Sequence, residues 1–168
     1  MALLEVKNIN KRYGKKMAMT DVSFQVEAGR IVGLIGPNGA CKSTTMRAIT
    51  GLMRYDSGSV MFDGQPITFS HHQALDKMGN LIEYPAIYPN LTALEHLKLY
   101  AMDTKTPADF QDLMRKTQID GPNFGKRKAK QFSLGMKQRL GIAIALIRNP
   151  KLVICLLYTS PSPRDMRR

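Results

Sequence analysis

The sequence predicts an α/β fold, and three observations carry that expectation. Residues 31–36 (IVGLIG) form a short run apolar on both faces, as in a strand buried inside a parallel sheet. A glycine-rich stretch, GPNGACKSTT from Gly36 to Thr45, follows at once and leads into KSTTMRAITGL, where Met46, Ile49 and Leu52 recur at helical spacing. Far downstream, LGMKQRLGIAIALIRN reads as a helix closed by Asn149-Pro150, and Lys151 to Ile154 begins a second buried strand.

The remaining elements fall between these. Leu3 to Tyr13 and, more strictly, Asp21 to Val26 (DVSFQV) alternate apolar and polar residues, predicting half-exposed strands. Asp56 to Gly58 and Asp63-Gly64 mark turns around a strand at Ser59 to Phe62. From Thr92 the period becomes helical, with Leu94, Leu97 and Tyr100 on one face, and a second helix is expected from Pro107 or Ala108 to about Gln118. Residues 120–130 read as a loop, and Ser133 stands where a helix cap belongs. No internal repeat precedes residue 154.

Composition narrows the class. The chain has 168 residues and is 43% apolar, which suits one globular domain. The start MALLEVKN carries no basic leader, and the longest apolar runs, Ile142 to Ile147 and Leu152 to Tyr158, are far short of the roughly 20 residues that cross a bilayer. A soluble, cytoplasmic chain is the expectation. Cys41 and Cys155 make neither a metal-ligand spacing nor a disulfide framework. The net charge of +12 is spread out, with one cluster at Lys126 to Lys130 (KRKAK) that lacks interleaved aromatics and reads as a solvated loop, not a nucleic-acid surface.

The stretch from Gly36 to Thr45 differs at one place from the pattern G-x-x-x-x-G-K-[ST], with Cys41 where glycine is wanted. A triphosphate needs converging donors, and a glycine-rich turn before a helix supplies unpaired amides and the positive end of the helix dipole. Gly36, Pro37, Asn38, Gly39, Ala40, Cys41, Lys42, Ser43 and Thr44 are therefore candidate phosphate-site residues, with Lys42 as a mobile point charge and Ser43 as a magnesium ligand. A side chain at position 41 is expected to weaken the loop by about 1 to 3 kcal/mol, because glycine there can approach phosphate or take a conformation a Cβ disfavours.

GPNGACKSTT, followed some ninety residues later by FSLGMKQRLGIAIAL, resembles the ATP-binding subunit of ABC transporters, and the likeness covers Leu3 to Ile154. The first motif resembles Walker A. Phe132 to Arg139 resembles the family signature, matching at Ser133, Gly135, Gln138 and Arg139 and departing at Leu134 and Met136; with IEYPAIYPNLTALEHL this looks like the subgroup that exports lantibiotics, bacitracin and similar peptides. The resemblance implies a P-loop NTPase core with an N-terminal β-subdomain and a small helical subdomain at about 84–132, using ATP and Mg2+. It implies that Tyr13 stacks on adenine, that Glu83 stands at the position sensing magnesium and the γ-phosphate, and that Ser133, Leu134, Gly135 and Met136 bind the ATP of an opposite subunit. Its implied partners are an integral-membrane permease and a second ATP-binding subunit, its place the inner face of the membrane. His71, His72 and His96 match no family motif and read as ordinary surface or helix residues.

The family strand corresponding to KLVI runs on to the aspartate and glutamate that hold magnesium and activate water; here Ile154 is followed by CLLYTSPSPRDMRR. The expected domain is accordingly a partial one, residues 1–154, without catalytic carboxylates or switch histidine. Residues 155–168 read as a tail foreign to it, since Cys155 to Asp165 resembles, codon for codon, the translation of a transposase-type sequencing adapter. That tail holds three arginines and one aspartate, a net +2 of the +12. Two readings of Cys41 stay open, a weakened loop or a one-base misreading of a glycine codon. Function likewise keeps alternatives: an exporter ATPase subunit, a soluble ABC ATPase acting on ribosome or DNA, or an inactive nucleotide-binding fragment. A sheet lacking strands is expected to leave edges unpaired and prone to aggregation.

Overall fold

The computed structural model describes residues 2–156 except 38, 71–72, 83–86, 103–104, 122–123 and 125. Strands β1 (Ala2–Tyr13) and β2 (Lys16–Glu27) form an antiparallel hairpin, joined by β3 (Ser57–Phe62) and the short β4 (Gln65–Pro66) in the order β2-β1-β3-β4. Alternation sets the inward face: Leu4 and Val6 on β1 lie opposite Phe62 and Val60, and all four are buried. Asn8, at a left-handed φ of 49°, bulges and shifts the parity, so Ile9 is the next residue to turn inward. Gly58 fits opposite this bulge because a Cβ there would lie 2.5 Å from the carbonyl oxygens of Asn8 and Lys7. Asp63-Gly64, both with positive φ, turn β3 into β4 as an Asp-Gly hairpin should.

Helix α1 (Lys42–Ile49) is shorter than the periodicity predicts. Gly51 adopts a φ of 68° and the Leu52 amide reaches back to the Arg47 carbonyl at 2.9 Å, a closure that stops the helix and leaves Leu52 exposed. Helix α2 (Ala93–Ala101) starts at a Thr92 capping box with Glu95, and α3 (Pro107–Lys116) at a Thr106 box with Asp109. The buried face of α2 is Ala93, His96, Leu97 and Ala101; Leu94, expected inward, is partly exposed beside α3. Helix α4 (Leu134–Leu146) packs on α2 and α3 through Leu140 and Ala143.

Two differences from the sequence reading concern the parallel sheet. Residues 31–36 form no strand, and Ile31, Val32, Leu34 and Ile35 are exposed. A run apolar on both faces needs a hydrogen-bonded neighbour on each side, and among the described residues none pairs with it. The parallel pairing runs instead between β5 (Met78–Leu81), which periodicity did not reveal, and β6 (Leu152–Cys155). Met78, Ile82 and Ile154 join the β-sheet core, while the helices enclose a second core around Leu97, Phe110, Ile119, Phe132 and Leu140.

Helix α4 meets β5 at close range: a Cβ on Gly79 would stand 2.2 Å from the Ala145 carbonyl oxygen. Gly79→Ala is expected to cost about 1–3 kcal/mol by overpacking, read as a lower urea midpoint at unchanged slope. Asp63 fastens the two sheets electrostatically, accepting from Lys151 at 2.8 Å and Lys77 at 3.1 Å. Those hydrogen bonds, Lys151 first, hold its carboxyl below the ordinary value. The unfolded chain then binds the proton more readily, so this contribution is full above about pH 4 and disappears as pH falls through the lower folded-state value. Asp63→Asn should flatten the acid limb of a stability-versus-pH curve; an unchanged limb would remove Asp63 from the account.

Candidate functional site

The glycine-rich stretch turns tightly ahead of α1. The Ala40 amide donates to the Pro37 carbonyl at 3.1 Å, and a Cβ on Gly36 would lie 3.1 Å from that of Ala40. Lys42 folds back into the turn, its ammonium donating at 2.8 Å to each of the Gly36 and Pro37 carbonyls. Ser43 and Thr44, both half-buried, occupy the first turn of α1, which contains no acidic residue to offset the positive end of its dipole. Asn38 lies outside the described residues.

Cys41 occupies the cap position of α1 with φ 56° and ψ 24°, and its side chain makes no capping bond. Its carbonyl accepts from the amide of Thr45 at 2.8 Å and from its hydroxyl at 3.1 Å, which pins the residue in the left-handed region. The loop pattern wants glycine here because this backbone costs an L-residue about 1–2 kcal/mol. Gly39, at φ 87°, takes the other left-handed position without that cost.

Tyr13 ends β1 with its side chain 55% exposed, its hydroxyl donating to the Met53 sulfur at 2.8 Å and the Lys11 ammonium 5.5 Å from its ring centre. The ring is thus anchored at its tip while its body stays open to solvent. Glu83 lies outside the described residues, as do His71 and His72. Ser133 caps α4 by accepting the Met136 amide at 3.3 Å. Leu134 and Gly135 are exposed beside it, a Cβ on Gly135 would meet nothing within 4 Å, and Met136 packs on the helical core. Arg139 donates to the Gln118 carbonyl at 3.5 Å, tying α4 to the end of α3.

The two candidate phosphate-binding ends belong to different cores. Cys41 and Met46 pack with the β-sheet cluster, Phe132 and Met136 with the helical one. Among the described residues, no group of three or more His, Cys, Asp or Glu could hold a metal ion. The Ser43 hydroxyl, in the first turn of α1, is an oxygen donor of the kind magnesium takes. Sequence reasoning missed His96, which is fully buried: Tyr88 N–H donates to its Nε2 at 2.8 Å and Nδ1 lies 2.7 Å from the Thr92 carbonyl. Its position on the buried face of α2, one turn after a capping threonine, was the available signal.

A glycine-rich turn closed on a lysine at a helix N-terminus, attached to an α/β core with a helical lobe, defines a P-loop nucleotide-binding domain. The family profile described as ABC transporter matches residues 19–155, and the chain belongs to that family. It is 42% identical to the lantibiotic transport ATP-binding protein SrtF of Streptococcus pyogenes, covering 90% of this chain and 65% of that one. It is 35% identical to the bacitracin transport ATP-binding protein BcrA of Enterococcus faecalis, covering 90% of this chain and 49% of that one. The chain thus spans about half to two thirds of these curated relatives' length. A solved ATP-binding subunit of an ABC transporter superposes with TM-score 0.79 at 34% identity, covering 91% of this chain and 65% of that one. A dimeric ATP-binding cassette in a post-hydrolysis state with ADP and Pi superposes with TM-score 0.77 at 26% identity, covering 89% and 72%. Among the described residues no helix is long and apolar enough to cross a membrane.

The left-handed backbone at Cys41 generates a stability prediction. Cys41→Gly should stabilise the fold by ~1 kcal/mol, or about 3 °C in thermal midpoint, whereas Cys41→Ala, which keeps a Cβ, should not. Equal midpoints for the two variants would show that φ at this position is not the source of strain.

Proposed function

We propose that the chain is the nucleotide-binding part of an energy-coupling ATPase subunit of an ABC exporter for antimicrobial peptides of the lantibiotic or bacitracin kind. The observation that carries the nucleotide reading is Lys42 held in the loop at the undersized, acid-free start of α1. The cargo class rests on the relatives' names. ATP supplies the phosphates, with Mg2+ among them adding charge neutralisation. Amides of residues 39–44 donate to phosphate oxygens at the positive end of α1, Lys42 exchanges carbonyl partners for phosphate, and the Ser43 hydroxyl holds the metal.

In the same reading, the exposed Tyr13 ring stacks on adenine, and Glu83 contributes a carboxylate near the γ-phosphate. Ser133, with Leu134, Gly135 and Met136 around the α4 N-terminus, completes the site of a second ATP-binding subunit. That two phosphate-binding ends rest on separate cores supports such division between subunits. A membrane permease is the other partner, docking on the helical lobe of residues 84–132 and holding the protein at the inner membrane face; nucleic acid has no role. The domain reading is 1–154 with 155–168 foreign to it.

Hydrolysis needs a carboxylate to hold the metal and another to activate water. Beyond Ile154 the residues are CLLYTSPSPRDMRR, where the family motif would place that pair within three or four positions. We therefore expect this chain to bind ATP without turning it over. Titration with a fluorescent ATP analogue should show binding that Lys42→Ala abolishes and Cys41→Gly tightens, because a residue without a Cβ lets the backbone approach phosphate more closely. Phosphate release should not exceed that of Lys42→Ala. Clear turnover, or superimposable titrations for wild type and Cys41→Gly, would count against this account.

A further inference from the structure

His96 has an arrangement that fixes its protonation by geometry alone. Its side chain is 0% exposed. The Thr92 carbonyl, 2.7 Å from Nδ1, has no proton to give, so Nδ1 carries the hydrogen and donates. The Tyr88 amide, 2.8 Å from Nε2, has no lone pair to offer, so Nε2 is bare and accepts. The imidazole is therefore neutral, in the Nδ1–H tautomer. A proton added at Nε2 would set two N–H groups against each other inside a buried site, and the Tyr88 amide would lose its partner.

Tyr88 begins a segment whose other backbone contacts lead elsewhere. The Pro89 carbonyl accepts from the Lys130 amide at 2.9 Å, and the Leu91 carbonyl from the Ala129 amide at 2.8 Å. Residues 129–131 form a single 3-10 turn running straight into Phe132 and the cap Ser133. So one unbroken series of hydrogen bonds links His96 on α2, the 87–92 segment, and the approach to α4.

We propose that His96 is a proton-operated latch: neutral, it holds residues 87–92 against α2 and so positions the 129–133 approach to the α4 N-terminus, and protonation at Nε2 releases both. His96 is a positioning residue in this scheme. Only the consequence for nucleotide bound at Ser133 rests on the function proposed above; the latch itself does not.

Among the described residues, the charged and titratable groups around it are few. Glu95, next to His96 on α2, has its carboxyl held below the ordinary value by hydrogen bonds from the Thr92 amide and hydroxyl and by the nearby Lys128. Lys128, from the 126–131 segment, acts on that same carboxylate. Tyr88 contributes a ring 6.0 Å away, and Tyr100, one turn along α2, has its phenol raised by burial and stays neutral. The part of α4 packed on α2 is apolar, at Leu140 and Ala143.

The test is amide hydrogen exchange of the whole chain at about pH 7.5 and pH 5, corrected for intrinsic exchange, with the ring nitrogen shifts of His96 read in parallel. Protection at Tyr88, Ala129 and Lys130 should fall together by about tenfold or more at the lower pH, as Nε2 becomes protonated. His96→Gln, whose amide can accept from Tyr88 without titrating, should keep protection at both pH values; His96→Leu, with no acceptor, should lack it at both. Protection that ignores pH, an Nε2 that stays bare at pH 5, or the same acid loss in His96→Gln would overturn the proposal. Because no readout involves nucleotide, failure of the latch and failure of the ATP reading are separately visible.

Discussion

The pairing of β5 with β6 is the contact on which the helical half of the molecule depends. Four residue pairs, Met78 with Leu152 through Leu81 with Cys155, bring together points more than seventy positions apart in the chain. Everything between them is thereby closed into one large loop. Closing so long a loop costs only slightly more than closing a shorter one, because the entropy grows as the logarithm of length. What makes closure worthwhile is what the loop contains. Capped helices α2, α3 and α4 bury their own core around Leu97, Phe110 and Leu140, and Gly79 admits the backbone of α4 against β5. Lys151, just ahead of β6, then ties the closure to Asp63 on the antiparallel sheet.

That dependence explains what could and could not be read from residue order. Local chemistry was legible where a single turn decides the outcome: Ser133 caps α4 and Asp63-Gly64 make a hairpin, while the Thr92/Glu95 and Thr106/Asp109 boxes that start α2 and α3 were seen only in the structure. The Cys41 position was legible too, since a pattern that wants glycine anticipates a left-handed backbone. Nonlocal pairing was not. Met78 to Leu81 contains Gly79 and Asn80, poor strand formers, and becomes a strand because β6 lies alongside and α4 needs a residue without a side chain. Conversely, 31–36 has the composition of a central strand and stays unpaired, since composition confers the capacity to pair but not the partner.

His96 was misread for a related reason. A histidine between Glu95 and Leu97 looks like part of the solvent face of an amphipathic helix, and the stripe Leu94, Leu97, Tyr100 invites that view. The buried face instead centres on Leu97 flanked by the small Ala93 and Ala101, and that turn of the stripe carries His96 inward. Once inward, a polar ring must find partners for both nitrogens, and the chain provides them from the residues immediately before the helix.

The two candidate phosphate-binding helix ends show the same economy used differently. At α1 the cap residue is Cys41, whose side chain makes no capping bond, and the loop is held by a lysine turned in on carbonyls and by Thr45 gripping the Cys41 carbonyl. Cationic charge at that end of the dipole is unfavourable, so an anion entering the turn would gain from the amides and from Lys42 together. At α4 the cap is a serine whose hydroxyl already satisfies one amide, and the surface beside it at Gly135 is open. In the function proposed above, these two ends, which pack on separate cores, would contribute to the ATP sites of different subunits.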